Sequence, residues 1–147
     1  MNDPSPPAPP RNDAAPGPAD PSAAALADVW REARNASASS DFARLEQIAA
    51  RALEWAERLH GDASVEVERA LQELAYAQRR QSRYAQAIPV LRRLVALQEQ
   101  LHGLSHAGLG LSLDLLAAAI SRAHPERMSE VKKLETRAAH VRLRRRR

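Results

Sequence analysis

Part of this chain is written twice, and that limits what it can fold into more than any other feature. Glu57-Arg-Leu-His-Gly61 returns as Glu99-Gln-Leu-His-Gly103, a displacement of 42 residues. At the same displacement Leu71 meets Leu113, Leu74 meets Leu116, Ala75 meets Ala117 and Ala77 meets Ala119. Ala43 also meets Ala85 and Arg51 meets Arg93, so the correspondence runs through two consecutive elements. A helix–turn–helix unit recurring at this distance cannot cover its own apolar face, so neighbouring units must stack. The expected fold is therefore all-α, a short α-solenoid of about three helical pairs.

The local pattern agrees. Leu26, Val29, Trp30 and Ala33 recur at spacings of three and four, the signature of one helix face. The Ser- and Asn-rich stretch Asn35–Ser40 reads as a turn. Ser40 or Asp41 suits the cap of a second helix running to about His60, and Gly61 supplies a left-handed residue to end it. Asp62 or Ser64 suits the cap of a third helix ending near Gln81. A fourth is expected from about Tyr84 to Gly103 and a fifth over about His106 to Ala123, with Pro125 in the first turn of a sixth. Gly108 and Gly110 weaken the fifth by up to about 1 kcal/mol each relative to alanine.

The two ends differ from this middle. Eight of the ten prolines lie between Pro4 and Pro21, and such a segment buries too little apolar surface to offset its chain entropy. Residues 1–22 are expected to be disordered, with the repeat domain over 23–143 and a basic tail over 144–147. From Arg127 onward nine basic and two acidic residues give +7, whereas the remainder carries −3. Positive charge thus belongs to one end of the chain.

Several chemistries are disfavoured. There is no cysteine, which excludes disulfides, thiolate catalysis and cysteine zinc sites, and a reducing cytoplasm is the simplest location. The first ten residues do not read as a secretory signal. The longest apolar stretch, Leu109–Ile120, is interrupted by Asp114 and too short to span a bilayer. His102 and His106 have the spacing of metal ligands. However, Gly103 stands between them, and no Asp or Glu lies beside them in a zinc-type signature. No phosphate loop or catalytic arrangement of serine, histidine and acid is apparent. No cofactor, metal or enzymatic activity is expected.

Leu71-x-x-Leu-Ala75, followed by the segment Arg79–Leu97 with Ser82-Arg83-Tyr84 at its turn, resembles a tetratricopeptide repeat. The spacing of 42 residues and the Leu-His-Gly ending resemble the kinesin-light-chain type of that repeat. Ala75, Ala87 and Leu91 match its pattern of small and large packing residues, whereas Ser82 replaces a turn glycine and Leu94 a preferred alanine. The resemblance implies a right-handed superhelix and a non-enzymatic scaffold. Its concave face, lined by the first helix of each pair, would bind a peptide or a partner helix of another protein. Carried onto matching positions, that face would present Arg69, Gln72, Tyr76, Arg79, Arg80, Asp114 and Arg122, with Trp30 and Arg34 from the first unit. Several arginines and a tyrosine suit a ligand bearing carboxylates and an apolar side chain. The same arginines can equally be solvated residues paired with Glu66, Glu68 and Glu73. Trp55, Tyr84 and Leu97 read as packing residues.

The final helix carries Met128, Val131, Leu134, Ala138 and Val141 on one side and ends in Arg142 and Arg144, Arg145, Arg146 and Arg147. Five arginines in the last six residues exceed what a helix terminus needs, and they would attract phosphate backbones or anionic lipid. Tethering to nucleic acid or an anionic surface is the alternative function. A short solenoid also exposes apolar end surfaces, so self-association is a further expectation.

Overall fold

A computed structural model describes residues 21–145. The expectation of disorder over residues 1–22 therefore falls, for residues 1–20, outside the described residues, and Arg146 and Arg147 also lie outside them. Six α-helices follow one another: α1 (Ala23–Ala38), α2 (Phe42–His60), α3 (Val65–Arg80), α4 (Tyr84–His102), α5 (Ala107–Ala123) and α6 (Met128–Arg145), with a 3-10 turn over Pro125–Arg127. Each packs against the helix before it and the helix after it. None among the described residues is long and apolar enough to cross a membrane.

The 42-residue period reappears in the backbone. Both ends of α3 and of α4 lie 42 residues beyond the corresponding ends of α1 and α2. Gly61 and Gly103 have φ of 78° and 77°, and Ser40 and Ser82 both have φ of 58°. At the first helix's end in each pair, one backbone bond wraps the chain: Asp41 N donates to Ala36 O at 2.9 Å, and Arg83 N to Gln78 O at 2.8 Å. Left-handed serine is uncommon because its Cβ crowds the backbone. Its presence at both sites means the turn, rather than the residue type, sets the conformation.

Side-chain caps fix the starts of the first three helices. Ser22 accepts from Ala25 N, Asp41 from Arg44 N and Ser64 from Val67 N, satisfying donors that the first turn leaves free. The predicted turn at Asn35–Ser40 is shorter than expected, because α1 continues to Ala38 and only Ser39 and Ser40 turn. Ala36 is buried against the core, and its packing outweighs the modest helix penalties of Asn35 and Ser37. The sixth helix begins after Pro125 rather than at it. The expected boundary at Leu143 falls inside α6, which extends through Arg145.

The core has two parts meeting at α3. Ala70 and Ala77 join Leu26, Val29, Trp30, Leu45 and Ile48 on one side. Val67, Leu71 and Ala75 join Leu91, Leu94, Leu109, Leu113 and Ile120 on the other. Each large side chain buried this fully contributes about 1.5–3 kcal/mol relative to exposure. Leu97 is in this core, Tyr84 packs at its edge, and Trp55 packs at the edge of the first part. Ion pairs link successive second helices, Arg93 of α4 with Glu57 of α2 and Arg137 of α6 with Glu99 of α4.

Candidate functional site

The residues expected to line a common face are distributed among several partners. Arg69 of α3 lies over the Trp30 ring of α1, its guanidinium carbon 4.2 Å from the ring centroid. Trp30, Ala33, Arg34, Arg69 and Glu73 line an open pocket of about 360 Å³ between these helices. Arg80 instead stacks on Phe42 of α2 at 4.3 Å and donates to the Tyr76 hydroxyl at 3.0 Å. Tyr76 in turn meets Phe42 edge-on. Arg79 is half-buried. Asp114 pairs with Arg142, and Arg122 lies over Tyr84. Arg144 is exposed at the end of α6.

Gln72 was expected on the same face as Arg69, but it donates to Glu68 at 3.4 Å, and this leads to a different assembly. Glu68 on α3 is buried, with only 8% of its surface exposed. Its Oε1 accepts from Gln98 Nε2 of α4 at 2.9 Å, and its Oε2 stands 2.7 Å from His102 Nε2 at the end of α4. The His106 ring, just before α5, stacks on His102 with centroids 4.3 Å apart and planes inclined by 30°. One ligand atom each from Glu68, His102 and His106 can be chosen so that all lie within 4.8 Å of one another. The carboxylate missing beside the histidines in sequence is thus supplied by α3 through the fold.

Local structure explains how the chain forms this cluster. Gly103 ends α4 in a left-handed conformation, and the short turn returns His106 toward His102. Gly108 then leaves room for the imidazole, since a Cβ there would lie 2.7 Å from His106 Nε2 and 3.1 Å from Gln98 Nε2. Burial acts to raise the pKa of Glu68. Hydrogen bonds from His102 and Gln98, with the fields of His102 and His106, outweigh it and hold the carboxyl below the usual glutamate value. Among the described residues nothing satisfies Gln98 Oε1, although the side chain is fully buried.

The sequence offers Glu68 as a partner for the arginines, but it lies 34 residues from His102 and meets that residue and Gln98 instead. Sequence reasoning did not single out Gln98, four residues before His102. A signal was nevertheless present in the repeat. Shifted back by 42 residues, Glu68, Gln98, His102 and His106 correspond to Leu26, Ala56, His60 and Ser64. Two core positions of one copy are polar in the next.

Fold and site together define an all-α protein of six sequentially packed helices, with a buried carboxylate–histidine cluster where α3, α4 and α5 meet. No protein-family model matches the chain, and no curated protein matches it.

Proposed function

We propose that this chain is a short tetratricopeptide-like solenoid acting as a non-enzymatic scaffold in the cytoplasm. Its first-in-pair helices take an acidic peptide or partner helix of another protein. The observation that carries this reading is the pocket between α1 and α3. There Trp30 forms a floor that is only 6% exposed and lies beneath Arg69, while the exposed side chains of Arg34 and Arg69 offer positive charge. An extended ligand with a carboxylate matches that charge, and an adjacent apolar side chain can lie along the aliphatic stems of the two arginines. The 42-residue recurrence of helix ends and turn dihedrals supports the solenoid part of the proposal.

Fluorescence anisotropy with labelled acidic peptides, each containing one aromatic or aliphatic residue, tests this against charge-reversed peptides. Arg34→Glu combined with Arg69→Glu should weaken acidic-peptide binding by about tenfold or more. The fold should survive, because a cation–π contact such as Arg69 over Trp30 contributes only about 0.5–1 kcal/mol at an exposed site. No preference for acidic peptides, or unchanged affinity in the double variant, would overturn the groove assignment. RNA binding that disappears when the chain ends at Leu143 would move the function to the arginine tail.

A further inference from the structure

We propose that Glu68, His102 and His106 form a binding site for a zinc-like divalent transition-metal ion, independent of the groove between α1 and α3. Two imidazole nitrogens and one carboxylate oxygen are a donor set suited to zinc, with a fourth position left for water. The candidate ligand atoms lie within 4.8 Å of one another. A tetrahedral zinc sets its ligands about 3.3 Å apart, so the Glu68–His102 contact of 2.7 Å has to open by about 0.6 Å while any pair near the 4.8 Å limit closes by up to about 1.5 Å. The His102 side chain is 27% exposed and His106 is half-buried, so the site reaches solvent and an ion can enter it from that side.

The surrounding residues favour an organised site over a chance contact. Gln98 and Gln72 both donate to Glu68 Oε1, orienting the carboxylate while Oε2 faces the histidines. Such outer partners hold a metal ligand in position and tune its basicity. A Glu68–His102 pair alone would need only one imidazole. His106 occupies the cap position of α5 without capping it, whereas Ser64, 42 residues earlier, caps α3. Gly108 adds a residue that helices disfavour, at the place where a side chain would collide with His106. The polar residues, the absent side-chain cap and the glycine all serve one arrangement. A bound ion would join α3, the end of α4 and the start of α5, fastening two successive helical pairs.

The full chain, free of any histidine tag and stripped with chelator, should be titrated with zinc by calorimetry and with cobalt by visible absorption. One equivalent of zinc should bind with micromolar or tighter affinity, raise Tm reversibly to chelator, and give cobalt spectra of nitrogen–oxygen coordination. His106→Ser, which installs the residue of the equivalent position, should fold normally and weaken binding by on the order of a hundredfold, with the Tm shift lost. Glu68→Gln should do the same where it folds, and His60→Ala should bind like the wild type. Equal binding by the wild type and His106→Ser, or no binding by the wild type at about 100 µM zinc, would overturn the proposal.

Discussion

At the junction of α2 with α3, Leu26 and Ala56 are buried, His60 ends a helix, and Ser64 caps the next. Where α4 passes to α5, the same four positions are Glu68, Gln98, His102 and His106. The backbones match, with glycine φ of 78° at one turn and 77° at the other. The first junction is stabilised by apolar burial and a helix cap. The second has a buried carboxylate, an amide with an unsatisfied oxygen, and a helix start without a side-chain cap. A shared scaffold therefore tolerates opposite chemistry at the same positions, provided the polar residues arrive as a set. Glu68 is acceptable because Gln98 and His102 meet it.

Moving the carboxylate to the first junction should break that equivalence most severely. Leu26→Glu would bury a charge in the apolar cluster that holds Val29, Trp30 and Ala52, and chemical denaturation should show a loss of about 3 kcal/mol or more. The reverse conversion, Glu68→Leu with Gln98→Ala, removes both polar partners together and should lie within about 1 kcal/mol of the wild type or above it. If Leu26→Glu were tolerated equally well, partner residues would not be what distinguishes the junctions.

The same contrast explains what could be read from the sequence. The helical pairs were legible because Leu71 and Leu113, Ala75 and Ala117, and the two Leu-His-Gly endings all state the period. The end of α1 was less legible, because the small helix penalties of Asn35 and Ser37 act locally while Ala36 is held by packing across the core. The basic end also looked separable at Leu143, yet Val141 is buried and α6 continues past it. The polar cluster was hidden by chain distance, since Glu68 reaches His102 only after α3 and α4 pack. Agreements between repeats revealed the fold. Disagreements at Leu26 and Glu68, and at Ala56 and Gln98, mark the site.

A smaller effect should appear at the two caps. Ser64→Ala removes the acceptor for Val67 N and should cost about 1 kcal/mol. In metal-free protein His106→Ser should return a gain of similar size by capping α5, measured by the same denaturation experiment. Opposite signs at equivalent positions would show that the second junction gives up helix stability for its imidazole. Two losses would mean that His106 stabilises the turn even without a metal.

The finest separation lies within α5. At Gly110 a Cβ would meet Val141 Cγ1 at 3.6 Å and Ala138 O at 3.8 Å, both ordinary contacts. Gly110→Ala should therefore stabilise the helix by about 0.5–1 kcal/mol and leave zinc binding unchanged. Gly108→Ala gains the same helical preference, but its Cβ would approach His106 Nε2 to 2.7 Å. That nitrogen ends a half-buried, rotatable side chain, so the ring can swing away at small cost to folding. Its departure from Glu68 should weaken zinc binding by about tenfold while the melting temperature of metal-free protein holds or rises. Equal zinc affinity in the two variants would remove Gly108 from the site's construction. A selective loss at position 108 would explain why this helix keeps a glycine beside the ring.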